Sequence, residues 1–147
     1  MIKIYINAFK QFSDFKTRTT RNEFWMFQIL NMAVTYILVF IELFIPMTVD
    51  WISITYGLIA LIPSIAISVR RLHDVNKPGW LILLIYLLGI LNYSVVFLLP
   101  ESNWILASVA SSLTLGAYLF YLCLKRGTPG PNKYGPDPLY NEDNFIA

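Results

Sequence analysis

The sequence predicts an all-α integral membrane protein: four transmembrane helices in one bundle, preceded by a short amphipathic helix lying in the interface. Three observations carry this expectation. Of the 147 residues, 56% are hydrophobic and only 14% are charged, whereas soluble domains average about 25% charged residues. Two stretches, Trp51 to Val69 and Trp80 to Leu99, contain no Lys, Arg, Asp, Glu or His. Each is about twenty residues long, the length of helix that crosses a hydrocarbon core of roughly 30 Å. The third observation is that Lys and Arg are confined to alternate connections. Five precede the first span, three lie between the second and third, and three follow the fourth, which accounts for all eleven. The other two connections carry only Asp50 and Glu101. By the positive-inside rule, both termini and the segment around His73 face the cytoplasm.

A chain of this length reads as a single membrane domain covering 1–147. Its net charge of +2 is too small to argue for nucleic acid, and topology already explains the basic residues. Cys123 is alone, which excludes an internal disulfide and any cysteine-pair metal site. The N-terminus, Met1-Ile2-Lys3-Ile4-Tyr5, lacks the pattern of a cleaved signal peptide. The first span is therefore expected to direct its own insertion. Nothing in the residue pattern calls for a cofactor.

Residues 1–19 place Lys3, Lys10, Lys16 and Arg18 among Ile4, Tyr5, Phe9, Phe12 and Phe15. The aromatics at 5, 9 and 12 recur at helical spacing and Phe15 continues the stripe, as in an interfacial helix. An unstructured basic tail is the competing expectation. Thr20-Arg21-Asn22-Glu23 fits a capping box, in which Thr20 and Glu23 satisfy each other's amides. The first span then runs over about 24–45, with Trp25 at the interface. Glu42 lies near its end, where it reaches the far headgroups or, on a sharper reading, serves as an interior ion-relay carboxylate.

The second span covers about 51–69, with a kink expected at Pro63. The third covers 80–99, with Asn92 and Ser94 as its polar points, and the fourth covers 104–124. Ala60, Ser64 and Ser68 recur every four residues, as do Ser108, Ser112 and Gly116. Small faces of this kind let helix backbones approach closely in lipid. They are expected to pack the second and fourth spans together, with homo-oligomerisation as the competing use. From Gly127 to Pro138 the chain is rich in Gly and Pro, so no helix continues there. The 125–147 tail is expected either as disordered or as an extended strap across the cytoplasmic face.

The densest polar chemistry is the run Arg70-Arg71-Leu72-His73-Asp74-Val75-Asn76-Lys77-Pro78-Gly79-Trp80, read as a short loop between two apolar spans. Together with Phe15-Lys16-Thr17-Arg18-Thr19-Thr20-Arg21-Asn22-Glu23-Phe24-Trp25 and Gly130-Pro131-Asn132-Lys133-Tyr134-Gly135-Pro136-Asp137-Pro138, it resembles the domain-of-unknown-function 805 family. The three motifs occur in the family's order and touch nearly the whole chain. The sequence departs from the pattern at Thr17 and Asn76, where glycine is usual, and at Pro78, where serine is usual. The resemblance implies a small bacterial inner-membrane protein with about four helices, and it supplies no mechanism.

All three motifs fall on one face by the charge argument. The candidate site is therefore Arg18, Arg21, Glu23, Arg70, Arg71, His73, Asp74 and Lys77, joined by Asn132 and Tyr134 of the tail. Arginine forks bind carboxylates and phosphates in a bidentate manner. Arg70 and Arg71 lie four and three residues before Asp74, so internal ion pairs are available on a helix, and Glu23 is placed to take an arginine across helices. The cluster then either locks the fold together or keeps surplus charge for an anionic lipid headgroup or a partner protein. A membrane protein without enzymatic activity is the expectation. The alternative is a subunit of an oligomeric channel or transporter lined by Asn31, Thr35, Asn92 and Ser94. A lesser alternative is an enzyme acting on a lipid phosphate through His73. Neighbouring helical side chains diverge by about 100 degrees, so His73 and Asp74 cannot form a base and its orienting partner. No P-loop, nucleophile elbow or two-histidine metal spacing occurs.

Overall fold

The computed structural model describes residues 1–44, 51–98 and 104–139. Their regular structure is five helices: α1 Ile2–Lys10, α2 Arg21–Glu42, α3 Trp51–Asp74, α4 Trp80–Leu98 and α5 Trp104–Leu124. Helices α2 to α5 lie over the four stretches where spans are expected. Among the described residues, α2 and α3 are long and apolar enough to cross a membrane, and α4 and α5 carry the shorter apolar stretches Trp80–Ser94 and Val109–Leu124. The connections at 46–50 and 100–103 lie outside the described residues, as do the expected span ends at 45 and 99 and the tail from 140.

The N-terminal segment is a helix, and one face of it docks. Ala8 is 3% exposed and shares a core with Phe24, Phe27, Ile67 and Cys123, against which Tyr5 and Phe9 pack. The Tyr5 and Phe27 rings stack with centroids 5.4 Å apart. The expected continuation of this stripe to Phe12 and Phe15 fails, and both are exposed. Helix α1 stops at Lys10, and the Asp14 carboxylate then accepts the Lys16 and Thr17 amides at 3.0 and 3.2 Å. That side-chain turn redirects the chain away from the helix axis.

The capping box forms as expected. The Thr20 hydroxyl accepts the Glu23 amide at 3.2 Å, and a Glu23 carboxylate oxygen accepts the Thr20 amide at 3.0 Å. The cap starts α2 at Arg21, three residues before the apolar run. At its other end Glu42 is buried, and its carboxylate accepts the Ser53 amide at 2.8 Å. This side chain therefore satisfies one of the orphan amides in the first turn of α3 rather than reaching outward to headgroups.

Helix α3 corrects the reading of the charged run as a loop. It continues through Pro63 to Asp74, so Arg70, Arg71, His73 and Asp74 form its last turn. Only residues 75–79 connect it to α4. The Lys77 amide donates to the Leu72 carbonyl at 2.8 Å and the Asn76 amide to the His73 carbonyl at 3.0 Å, the hydrogen-bond pair of a Schellman ending. Such an ending needs a left-handed residue, and Asn76 supplies it with φ +57°. This is the position where the family pattern carries glycine, and asparagine is the side chain that best tolerates the same backbone.

Two antiparallel pairs result, α2 with α3 and α4 with α5. They join near the Asp74 end through Val69, Leu72, Val75, Ile82 and Leu122. Among the described residues, the buried cluster joining the pairs includes none of the small-residue positions. Ser64 and Ser68 donate back to the carbonyls of Ala60 and Ser64, each at 2.7 Å. Ser112 accepts the Asn92 amide of α4 at 2.5 Å, and a Cβ at Gly116 would meet nothing within 4 Å. The Ser108 side chain is outside the description. Large apolar residues close the α3–α5 contact instead, Val69 and Leu72 of α3 with Leu122 of α5.

Candidate functional site

Asp74 is the hub of the site. It is 4% exposed, and its two carboxylate oxygens go to different arginines. Arg18 donates to Oδ1 through Nη2 at 2.9 Å and through Nε at 3.2 Å. Arg71, one turn back on α3, donates to Oδ2 through Nη1. Two cations face one anion, so backbone dipoles supply the remainder of the compensation. Arg71 also donates to the Cys123 carbonyl through Nε and Nη2 at 3.2 and 3.1 Å, and to the Lys125 carbonyl. These are the unsatisfied C-terminal carbonyls of α5, where a cation is favoured both by hydrogen bonding and by the helix dipole.

The Gly/Pro-rich tail is an ordered strap as far as residue 139. Its residues wrap the other arginine: Arg18 Nη1 donates to the Gly130 carbonyl at 2.8 Å and Nη2 to the Thr128 carbonyl at 2.6 Å. Thr128 is fixed in turn, because its amide and hydroxyl both donate to the Asp74 carbonyl, at 2.8 and 3.0 Å. Gly127 passes so close to the hub that a Cβ there would lie 2.2 Å from Asp74 Oδ2. Gly130 and Gly135 adopt φ of +74° and +133°, conformations that side chains disfavour. Asp137 closes the strap by accepting the Gly130 and Leu139 amides, each at 2.9 Å. Those two hydrogen bonds hold its pKa below the ordinary carboxylate value.

His73 and Tyr134 are face to face, with ring centroids 3.8 Å apart and planes 4° from parallel. The imidazole Nδ1 lies 3.3 Å from the Thr17 carbonyl, and Asn132 donates its amide to the His73 carbonyl at 3.0 Å. His73 therefore joins the N-terminal segment, α3 and the strap through stacking and hydrogen bonds, and the residue is 7% exposed.

The predicted residues thus divide. Arg18, Arg71, His73, Asp74, Asn132 and Tyr134 form one connected cluster. Arg70 is buried beside it but turns the other way, with Nη1 donating to the Gln11 carbonyl and side-chain oxygen at 3.1 and 3.3 Å. Arg21 is exposed and donates to the Leu124 carbonyl at 3.4 Å. Glu23 stays within its capping box and, among the described residues, takes no arginine. The Lys77 side chain makes no hydrogen bond or ion pair among the described residues; only its backbone amide is used. Sequence reasoning missed Gln11, Asp14, Gly127 and Thr128. A glycine and a threonine just after the last helix were the available signal for the latter two.

Beyond the cluster, a groove of about 730 Å³ runs between the first turn of α2 and the strap, bordered by Arg21, Glu23, Arg126, Asp137 and Leu139. A separate polar chain reaches toward the bundle interior: the Tyr5 and Tyr56 hydroxyls are 2.5 Å apart, and Tyr56 donates to Asn31 at 2.5 Å. The remaining polar residues of the apolar helices bond locally. Thr35 donates to the Asn31 carbonyl at 2.9 Å, Ser94 to the Ile90 carbonyl at 2.9 Å, and Asn92 to the Leu88 carbonyl at 2.8 Å.

Three sequence motifs joined at one buried aspartate define a helical membrane-type protein organised by an arginine-clasped end. The chain belongs to the family described as protein of unknown function DUF805, whose model matches residues 12–136. It is 29% identical over 139 residues to inner membrane protein YhaI of Escherichia coli K12, covering 95% of this chain and 98% of that protein. It is 28% identical over 142 residues to inner membrane protein YhaH of the same strain, covering 91% and 94%. It is also 30% identical over 136 residues to the uncharacterized protein YiiR, covering 89% and 92%. No solved structure matches the chain.

Proposed function

We propose that this is a non-enzymatic protein of the bacterial inner membrane, crossing it four times with both termini in the cytoplasm. Its arginine-clasped end forms a rigid platform that engages an anionic lipid headgroup. The sharing of Asp74 between Arg18 and Arg71 carries this reading, because it spends the buried charge on holding three basic segments together at one end of the bundle. The names of the relatives YhaI and YhaH support the location, and the confinement of every Lys and Arg to alternate connections supports the orientation.

Arg21 and Arg126 stay outside the lock. They border the groove beside the ends of α2 and α5, the depth at which anionic headgroups meet basic side chains. The enzymatic alternative is disfavoured by His73, whose ring lies under Tyr134 and against the Thr17 carbonyl. The pore alternative is disfavoured because Asn31, Thr35, Asn92 and Ser94 spend their side-chain hydrogen bonds on helix backbone or a neighbouring side chain. Disulfide cross-linking of Gly116→Cys tests self-association through the small-residue side of α5, where a Cβ would meet nothing within 4 Å.

Native mass spectrometry of the protein released from detergent tests the headgroup reading. Wild type is expected to retain phosphatidylglycerol, and the Arg21→Ala/Arg126→Ala double variant to lose it while keeping its fold. A lipid-free wild type would leave the platform with an architectural role alone.

A further inference from the structure

Helix α1 is tied down at both ends. Tyr56 donates its hydroxyl proton to Asn31 at 2.5 Å, so the Tyr5 hydroxyl, 2.5 Å away, donates to Tyr56. Just past the other end, the Gln11 carbonyl and side-chain oxygen accept Arg70 Nη1. Between these ties Ala8 packs into the core with Phe24, Phe27 and Ile67. The rotation of α1 about its own axis is therefore fixed, and with it the direction that each remaining side chain faces.

Depth follows from the same contacts. Phe24 and Phe27 come three and six residues after the start of α2 at Arg21, and Ile67 seven before the end of α3 at Asp74. At about 1.5 Å per residue these levels lie roughly 5 to 10 Å below the polar end of the bundle, the depth at which interfacial helices sit. Tyr5 reaches deeper, since Asn31 is ten residues beyond Arg21. Its hydroxyl ends on another side-chain hydroxyl, which in turn ends on an amide, the internal pairing that a hydrocarbon layer demands. Ile4 marks the shallow edge, bordering the groove beside Thr20 and Arg21. Going round the helix from Ile4 past Ala8, Tyr5 and Phe9, the next side chains are Ile2 and Ile6, and only then Lys10 and Lys3. The two isoleucines, 71% and 46% exposed, thus continue the apolar arc on its deep side.

Charge selects the occupant. Residues 1–13 contain no Asp or Glu, while Lys3 and Lys10 stand exposed beside the isoleucines. A purely basic rim on an apolar flank matches the negatively charged cytoplasmic leaflet, and lysine stems let the ammonium groups rise to the headgroups while the flank stays below.

We propose that α1 is a two-faced anchor: Tyr5, Ala8 and Phe9 hold the bundle, while Ile2 and Ile6 enter the acyl chains of the cytoplasmic leaflet with Lys3 and Lys10 among its anionic headgroups. This assignment rests on the four-span reading with a cytoplasmic N-terminus. It reverses the use of the aromatic stripe, which the sequence assigns to the interface and which the fold turns onto α2 and α3.

Nitroxide labels on Ile6→Cys, Asn7→Cys and Ile59→Cys read depth by electron paramagnetic resonance. The full chain is reconstituted in vesicles of phosphatidylethanolamine and phosphatidylglycerol, and accessibility to oxygen is compared with accessibility to a water-soluble nickel chelate. Wild type, whose single cysteine Cys123 is buried, gives the background. Ile59, 61% exposed within α3, is the control for the span. The labels at Ile6 and Ile59 are expected to favour oxygen and the label at Asn7 to favour nickel. Lys3→Glu/Lys10→Glu is expected to shift the Ile6 label toward nickel in these vesicles but not in vesicles of phosphatidylcholine alone. An Ile59 label that favours nickel refutes the four-span reading, and the anchor with it. With the Ile59 control in place, an Ile6 label that favours nickel overturns the anchor alone, as does one closed to both reagents or broadened by a second copy's label. A charge reversal with equal effect in both kinds of vesicle, or with none, overturns the headgroup assignment of Lys3 and Lys10.

Discussion

Arg18 and Asp74 stand 56 positions apart in the chain and meet through two hydrogen bonds onto a single carboxylate oxygen. The pair is nearly solvent-free, with the Arg18 side chain 1% exposed and that of Asp74 5%. Burial of this depth makes the pair costly to break from one side only, since the surviving charge stays in a medium that solvates it poorly.

Asp74→Asn keeps the shape of the hub and removes its charge. Two buried guanidiniums then share no anion, and a loss of about 3–5 kcal/mol is expected. Thermal unfolding in detergent micelles, followed by helical circular dichroism, checks this. A midpoint within a degree or two of wild type would show that backbone carbonyls alone suffice to hold Arg18 and Arg71.

Gly127→Ala is expected to release the strap. The added methyl would overlap the Asp74 carboxylate, 2.2 Å from its Oδ2, and the strap cannot retreat without losing both Thr128 bonds to the Asp74 carbonyl. Overpacking of this kind costs about 1–3 kcal/mol. Faster tryptic cleavage at Arg126 and Lys133 than in wild type is the readout.

The His73–Tyr134 stack predicts a contrast between two substitutions. Tyr134→Phe keeps the ring and is expected to match wild type, because the hydroxyl makes no hydrogen bond among the described residues. Tyr134→Ala removes the stack and is expected to cost about 0.5–1.5 kcal/mol beyond the lost area, again seen as earlier cleavage at Lys133.

Asn76 tests the Schellman ending. Asn76→Gly is expected to be neutral or slightly stabilising, since glycine adopts φ +57° without strain. Asn76→Val forces a β-branched side chain into a left-handed backbone and is expected to lower the unfolding midpoint.

Acid should loosen the strap before the helices. Asp137 has its pKa depressed by the Leu139 and Gly130 amides, so its contribution is complete above the ordinary aspartate value of about 4 and is lost as pH falls through the lower folded value. Proteolysis of the strap with an acid-active protease is expected to accelerate in that window, while helical circular dichroism holds. Asp137→Asn should abolish the pH dependence and leave the strap open throughout.

Much of the architecture was legible in the residues, for identifiable reasons. The apolar runs have a length that the bilayer imposes, so α3 and α4 begin where the sequence places them, at Trp51 and Trp80. The Thr20–Glu23 box is local chemistry and reads directly. The charged run was misread because polarity suggested solvent, whereas Arg71 and Asp74 find partners on α5 and the N-terminal segment and can stay helical. The partners of Arg71 on α5 are carbonyls, which every residue has, so no pattern of side chains announces them. Serine spacing misled for a related reason: Ser64 and Ser68 satisfy themselves within one turn, and Ser112 turns to Asn92. The convergence of the three motifs was legible from charge, but their division into a lock and a separately oriented Arg70 required coordinates.

The strap also sets a clock. Arg71 draws its carbonyl ligands from Cys123 and Lys125, and Arg18 draws its own from Thr128 and Gly130. Lys125, Thr128 and Gly130 leave the ribosome after the four helices have been made. Until then the Arg18 guanidinium pairs with Asp74 but lacks its carbonyl acceptors on the strap. A nascent chain halted near residue 126 would hold every helix and the three side chains of the clasp, yet lack the Thr128 and Gly130 carbonyls that wrap Arg18.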